Sequence, residues 1–134
     1  MLKIDGLRVN YGGIEAVKDI TFEVPEREIV TLIGANGAGK STTLQTVSGL
    51  LHSHAGSIEF MGKSLAGIPP HKVVSLGLAH VPEGRRVFLQ MSVEENLEMG
   101  AYTRPGSEIA DGIADIYQRF PRLKERRKQV AGTL

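Results

Sequence analysis

The sequence predicts an α/β fold, in which a small antiparallel β part is followed by the start of a parallel sheet and by helices. Residues Asp19–Val24 (DITFEV) alternate apolar and polar side chains, which is typical of an antiparallel strand with one solvated face. Residues Ile29–Ile33 (IVTLI) are nearly all apolar, as in a strand buried on both faces. A glycine-rich turn then joins this strand to a helix-like pattern, and strand, turn and helix together open a βα unit.

Length and composition limit the classes of protein that need to be considered. The chain has 134 residues, the size of one ordinary domain, and 41% of them are hydrophobic. A net charge of only +1 argues against a general nucleic-acid-binding protein. The chain contains no cysteine, which excludes a disulfide framework and a thiolate metal site. The N-terminus lacks the apolar stretch of a signal peptide, and no segment reaches the roughly 20 apolar residues that span a bilayer.

The remaining strand-rich elements follow in order along residues 1–90. Gly12 and Gly13 separate the first two strands and predict a hairpin turn. After the glycine-rich turn, apolar residues at helical spacing predict a helix with one apolar face: Leu44, Val47 and Leu51. A short strand then leads to a hairpin tip at Gly62, and Leu78–Val81 has the composition of a second buried strand.

Residues 91–134 have helical patterns instead. Ser92 and Glu95 form the sequence signature of a capping box in front of a helix. Ser107 is the predicted N-cap of the next helix, and Pro121 ends or kinks that helix. One face of this helix is apolar: Ile109, Ile113, Ile116, Tyr117 and Phe120. We therefore expect one domain over 1–134, with a strand-rich part (1–90) and a helical part (91–134) and no linker between them.

The most informative motif is Gly34–Ser41 (GANGAGKS), which matches the pattern G-x-x-x-x-G-K-[ST] in full. Its glycines permit backbone conformations closed to other residues, so that successive N–H groups can form an anion-binding nest. The positive end of the following helix dipole points at the same place. Lys40 would reach the β- and γ-phosphates of a nucleotide, and the Ser41 hydroxyl would bind Mg²⁺. Thr42 would add a donor at the start of the helix.

The predicted phosphate-binding set is therefore Gly34, Asn36, Gly37, Ala38, Gly39, Lys40, Ser41 and Thr42. The alternative interpretation of the motif is a glycine-rich turn that only connects a strand to a helix. Tyr11 could stack on a nucleotide base, although on its own it is more typical of a half-buried residue at a strand end.

Several other polar groups have ordinary interpretations. Glu83 follows a buried-type strand and could contact a metal-bound water, but VPEGRR also reads as a turn with exposed arginines. His52 and His54 lack a third metal ligand at suitable spacing and are expected to be solvated. The basic segment RLKERRK is expected to be a solvated helix face, because the total charge is balanced.

Taken together, these motifs resemble the N-terminal part of the ATP-binding subunit of ABC transporters, over the whole length of the chain. The branched-chain amino-acid importer type is the most similar, through IGANGAGKSTTL and VPEGRRVFLQMSVEENLEMGAY. The resemblance implies a P-loop NTPase fold, N-terminal half only. It also implies that Tyr11 stacks on adenine. Glu83 lies where most of the family has a glutamine that contacts Mg²⁺ and the attacking water, and Arg85–Tyr102 resembles the region that meets the membrane subunit.

The resemblance further implies that the family continues beyond residue 134 with a signature motif, a Walker B aspartate, a catalytic glutamate and a switch histidine. We therefore expect this chain to bind ATP and Mg²⁺ without hydrolysing ATP. The implied partners are a transmembrane permease and a second ATP-binding subunit, at the cytoplasmic face of the cell membrane, with no nucleic acid and no membrane span of its own. Two alternatives are an assembly module that pairs through an exposed sheet edge without nucleotide, and another P-loop NTPase. A GTPase is disfavoured because no Asn-Lys-x-Asp motif is present.

Overall fold

A computed structural model describes all residues from Met1 to Leu134, and the chain divides into two compact units, Met1–His80 and Val81–Leu134. The first unit contains β1 (Leu2–Tyr11), β2 (Ile14–Val24), α1 (Lys40–Val47), β3 (Ala55–Phe60), β4 (Lys63–Ser64) and α2 (Pro70–Ser75). The second contains α3 (Val93–Gly100), α4 (Gly106–Arg119), α5 (Pro121–Glu125) and a short 3₁₀ turn (Ala131–Thr133). The division of the sequence into 1–90 and 91–134 stays a prediction.

The first unit is built on one four-stranded antiparallel sheet in the order β2-β1-β3-β4. Gly12 and Gly13 form the two-residue turn between β1 and β2, with φ angles of 56° and 86°, which confirms the predicted hairpin. Met61 and Gly62 form the turn between β3 and β4, so the second predicted hairpin is also confirmed. Both turns need positive φ angles, which glycine adopts without strain.

The core of the first unit lies on one face of this sheet and is covered by α1 and α2. Its buried side chains are Ile4, Leu7, Val9, Val17, Val47, Ile58, Phe60, Leu65 and Val73. Over Asp19–Val24 of β2, the predicted alternation is confirmed, since Ile20, Phe22 and Val24 are partly buried and their neighbours are exposed. The packing of α1 fixes the loop that precedes it against the sheet.

The predicted apolar face of α1 was wrong. The helix ends at Val47, and Leu44 is 47% exposed, whereas Thr43 and Thr46 are buried together with Val47. The helix ends early because Gly49, with φ 80°, turns the chain just past its C-terminus. The two threonines tolerate burial because their hydroxyls donate to the carbonyls of Gly39 and Thr42, at 2.8 and 2.7 Å.

The α/β class is confirmed, but the two predicted buried strands, Ile29–Ile33 and Leu78–Val81, do not form. Ile29 and Ile33 are 95% and 92% exposed, and Val81 is 91% exposed. A strand needs a neighbour to accept and donate its backbone hydrogen bonds. Every strand pair in this structure is antiparallel, and neither segment has a partner strand. The apolar composition of these segments therefore does not produce a parallel sheet within the 134 residues.

In the second unit, α3 begins with the predicted capping box. The Ser92 hydroxyl accepts from the Glu95 backbone N–H at 3.2 Å, and the Glu95 carboxylate accepts from the Ser92 N–H at 2.7 Å. The backbone N–H of Ser92, and then its hydroxyl, hold the pKa of Glu95 below its ordinary value. This confirms the prediction from the Ser-x-x-Glu pattern.

Helix α4 begins at Gly106, with Pro105 rather than Ser107 in the N-cap position, so the predicted cap was wrong. Pro105 has the extended φ and ψ of an N-cap but no side-chain acceptor, and Ser107 lies inside the first turn. The predicted end is confirmed, since α4 stops at Arg119 and Pro121 opens α5. No helix of the chain has both the length and the apolar character needed to cross a membrane.

Candidate functional site

The glycine-rich loop of the motif lies directly before α1 and rests on β2. Gly39 is the N-cap of α1 and has φ 91°, in the left-handed region that disfavours side chains. A Cβ at Gly39 would lie 2.5 Å from the Ala16 carbonyl oxygen and 3.1 Å from Val17 Cγ2. Gly39 is therefore required twice, by its own conformation and by the closeness of β2.

Lys40 folds back over the loop that precedes it. Its Nζ donates to the carbonyl oxygens of Gly34 and Ala35, at 2.6 and 2.7 Å. An ammonium group has three donors, so one remains for a further acceptor. The loop thus holds a positive charge near its centre before any anion is bound.

The start of α1 presents backbone donors that the protein itself does not use. The N–H groups of Lys40, Ser41 and Thr42 make no hydrogen bond within the chain, and the first bonded amide is Thr43, to Gly39 O at 2.8 Å. No side chain caps the helix. Free N–H groups at a helix N-terminus, together with a lysine, form a site for a polyanion such as a phosphate chain.

The hydroxyl groups of this segment divide into two roles. Those of Ser41 and Thr42 make no hydrogen bond, and Ser41 is exposed, so both are available to a ligand. Thr43 is buried and its hydroxyl is used by Gly39 O, so it serves the fold. Asn36 and Ala38 are exposed in the loop, where Ala38 N–H donates to Ala35 O at 3.1 Å.

A cavity of about 440 Å³ lies between the loop and β2, lined by Glu15, Ala16, Lys18, Ile20, Gly37 and Ala38. Sequence reasoning missed the four β2 residues, because only strand pairing places them beside the loop. Tyr11 is 63% exposed at the end of β1 and does not line this cavity. The hairpin carries it on the same antiparallel pair that supports the loop.

Glu83, Arg85 and Arg86 belong to the second unit, and all three are exposed. Arg86 Nε donates to the Glu83 carbonyl oxygen at 3.4 Å, so the contact within this turn uses the backbone of Glu83 and not its carboxylate. No group of three or more His, Asp or Glu side chains is placed to hold a metal ion.

Comparison with known families identifies the family of the chain. Residues 17–133 match the family described as ABC transporter. The chain belongs to the ABC transporter family. Within this family, the chain is 46% identical over all its 134 residues to the high-affinity branched-chain amino acid transport ATP-binding protein BraG of Pseudomonas aeruginosa. It is 35% identical to the probable branched-chain amino acid transport ATP-binding protein LivF of Archaeoglobus fulgidus.

Solved structures agree with the ABC assignment. The ATP-binding subunit of an ABC transporter, 30% identical, superposes with a TM-score of 0.83 over 97% of this chain and 54% of its own length. A nucleotide-free ATP-binding cassette, 21% identical, has a TM-score of 0.82 and supports the fold alone. The chain spans 58% of BraG and 57% of LivF. These findings confirm the P-loop fold and the resemblance predicted from the sequence.

Proposed function

We propose that this chain is the nucleotide-binding part of the ATP-binding subunit of an ABC importer for branched-chain amino acids. The observation that carries the proposal is the set of free N–H groups at the start of α1, with Lys40 held over the same loop. The names of BraG and LivF support the choice of solute class. Membership of the ABC family removes the alternative of a GTPase or small kinase.

In this proposal, the loop Gly34–Thr42 binds the phosphate chain of ATP. The free N–H groups and the third donor of Lys40 contact phosphate oxygens, and Gly37 and Gly39 provide the positive φ angles that aim the backbone inward. The cavity beside β2 provides room for the rest of the nucleotide, and Tyr11 stacks on adenine from the hairpin. These contacts would neutralise the phosphate charge and fix the nucleotide in one orientation.

The residues present fit a magnesium ion only in combination with the nucleotide. Ser41 offers one exposed hydroxyl, and no acidic cluster supplies a complete coordination shell. Mg²⁺ typically combines one or two protein ligands with substrate phosphates and waters. We propose Ser41 as the protein ligand of the ion, which would offset the phosphate charge. The metal contact of Glu83 that the resemblance implies stays a prediction.

We propose that the 134 residues bind MgATP without turning it over. Hydrolysis needs a group that positions the attacking water and groups that neutralise charge around the γ-phosphate. The resemblance assigns the first role to family residues that lie outside these 134. The whole protein would act at the cytoplasmic face of the membrane, with a permease and a second ATP-binding subunit as partners and Arg85–Tyr102 towards the permease.

The first test is calorimetric titration of the chain with MgATP. Lys40→Ala removes the only side-chain cation of the loop, and we expect it to weaken binding by at least about tenfold, as for loss of one charged hydrogen bond. Lys63→Ala, an exposed lysine in β4, is the matched control and should bind as the unmodified chain does. Equal affinity of the two variants would refute the site.

One alternative function has an observation in its favour. Ile29, Ile33 and Val81 are more than nine-tenths exposed, and such apolar segments favour association. An assembly module without nucleotide would give a concentration-dependent dimer in analytical ultracentrifugation and no heat on titration with MgATP. Steady release of phosphate by the pure chain, abolished in Lys40→Ala, would instead contradict the absence of turnover.

A further inference from the structure

The loop Val87–Met91 exposes several apolar side chains and yet is tightly held. It forms neither helix nor strand, and Val87, Phe88 and Leu89 are 48%, 55% and 57% exposed. An exposed loop without secondary structure is usually mobile, because few contacts oppose its opening. Here the backbone is fixed on two sides, and the fixing groups belong to different parts of the second unit.

Asn96, in the first turn of α3, holds one side. Its Oδ1 accepts from the Phe88 backbone N–H at 2.8 Å, and its Nδ2 donates to the Phe88 carbonyl at 3.0 Å. Nδ2 also donates to the Ser92 carbonyl at 2.9 Å. One side chain therefore satisfies both backbone groups of Phe88 and ties them to the start of α3.

These contacts define both the orientation and the chemical type of the side chain. The Phe88 N–H can only donate and its carbonyl can only accept, so the Asn96 amide fits in one orientation. An ionised aspartate would keep the acceptor but lose both donors. A glutamine is longer by one methylene and would displace the amide. The position therefore requires asparagine for reasons independent of helix propensity.

The C-terminal segment holds the other side of the loop. Gly132 N–H donates to Leu89 O at 2.9 Å, and Ala131 N–H donates to Met91 O at 2.9 Å. Ser92 and Val130 form an antiparallel bridge next to these bonds. A Cβ at Gly132 would lie 2.9 Å from Leu89 O, so a side chain there would push the two segments apart.

We propose that Asn96 is a positioning residue, which holds the apolar loop Val87–Met91 in the shape that a partner subunit meets. Asn96 and residues 129–132 hold opposite sides of the loop, so the loop and that segment move as one body. The inference rests on the proposed function, because the loop lies within Arg85–Tyr102. The partner subunit in this proposal is the permease, and its contact with the loop Val87–Met91 would be apolar.

The test is amide hydrogen exchange, measured by NMR on the 134-residue chain. In Asn96→Asp we expect the Phe88 and Gly132 amides to exchange at least about tenfold faster. The substitution removes the Nδ2 donor of Asn96 and places a carboxylate oxygen against the Phe88 carbonyl oxygen, which it repels. The Val9 amide in β1 and the thermal midpoint should be unchanged. Unchanged exchange at Phe88, or equal acceleration at Phe88 and Val9, would overturn the proposal. Should the variant not fold, Asn96→Ala removes the same bonds without adding charge.

A pH profile separates positioning by hydrogen bonds from a general structural role. A protonated aspartic acid has one O–H donor and one carbonyl acceptor, and so resembles the amide. We expect protection of Phe88 in Asn96→Asp, relative to the unmodified chain at each pH, to recover below about pH 4. Gln118→Glu, an amide-to-carboxylate change on the exposed surface of α4, should show no such profile. A profile that is flat in Asn96→Asp would count against the donor role.

The claim of one moving body is tested by a double variant. Gly132→Ala disturbs the other side of the loop, and it should accelerate Phe88 exchange as Asn96→Asp does. If the two sides act together, the double variant should exchange within about twofold of the faster single variant. If the accelerations of Phe88 exchange in the two single variants multiply in the double variant, the two sides hold the loop independently, and the claim of one moving body is wrong. MgATP titration tests the proposed function separately, so the failure of one does not imply the failure of the other.

Discussion

The two units of the chain differ in how many apolar side chains each buries in a core. In Met1–His80, nine buried residues form one cluster between a sheet and two helices. In Val81–Leu134, the only buried apolar side chains are Val93 and Ala131, and α4 has no buried residue. Helix α4 packs mainly against α3 and α5, which are short.

This difference matches the two functions proposed for the chain, which are nucleotide binding in the first unit and contact with a partner in the second. The proposed phosphate-binding loop needs a rigid support, and α1 and β2 provide it because Val47 of α1 and Val17 of β2 are buried in the same core. Both units leave apolar side chains at the surface, but in the second unit, which includes exposed Phe88, Leu89 and Phe120, almost none are buried to offset them. Exposed apolar patches of this kind are typical of surfaces that meet a partner. A buried core thus supports the proposed ligand site in the first unit, and no comparable core forms in the second unit, to which the proposed partner surface belongs.

The largest expected effect comes from a matched pair of core deletions. Leu7 is fully buried in the first unit, and Leu7→Ala should cost about 2–5 kcal/mol of unfolding free energy through lost burial and a cavity. Ile113 is half-buried on α4, and Ile113→Ala should lower the unfolding free energy by about 1 kcal/mol. Denaturant titration followed by circular dichroism measures both. Equal losses of unfolding free energy in the two variants would contradict the difference in burial between the units.

A pair of glycine substitutions should give the next largest difference. Gly39→Ala places a Cβ against Ala16 O at φ 91° and should lower the unfolding free energy by about 1–3 kcal/mol. It should also weaken the binding of MgATP. Gly112→Ala, within α4 and with open space around the new Cβ, should stabilise by about 0.5–1 kcal/mol. Thermal unfolding of both variants provides the measurement. A neutral Gly39→Ala would contradict the close approach of β2.

Tyr117 allows a test within the second unit. Its hydroxyl is buried without a hydrogen-bond partner, and burial, followed by the nearby Glu94, raises its pKa. Because an unpaired buried hydroxyl is costly, Tyr117→Phe should stabilise the chain by up to about 1 kcal/mol. A loss of stability would mean that the hydroxyl has a partner in solution. Tyr102→Phe, at an exposed position, should change little.

The smallest expected effect is the pH dependence of the α3 cap. The pKa of Glu95 is below its ordinary value of 4.5 in the folded chain, because Ser92 donates to the carboxylate. The cap therefore contributes its stability above pH 4.5 and loses it as the pH falls through the lower folded pKa. Glu95→Gln should remove this part of the acid transition in circular dichroism. If the transition persists unchanged in that variant, the cap contributes nothing measurable.

Local patterns were predictable from sequence and long-range contacts were not. The Gly12–Gly13 turn, the hairpin tip at Gly62 and the capping box at Ser92 each depend on residues within a few positions, and the structure confirms them. The predicted strands at Ile29–Ile33 and Leu78–Val81 depend on a neighbour, and their apolar composition carries no information on whether a neighbour is present.

The sequence by itself determined the family and predicted the phosphate-binding loop with its side chains. It could do so because every part of that loop acts over short distances, through a positive φ, a helix dipole or a lysine six residues from the carbonyl it contacts. Only the tertiary structure decided that β2 presses against Gly39 and that Asn96 holds Phe88. Those contacts join residues whose spacing in the chain has no periodic signature, so only chain packing brings them together.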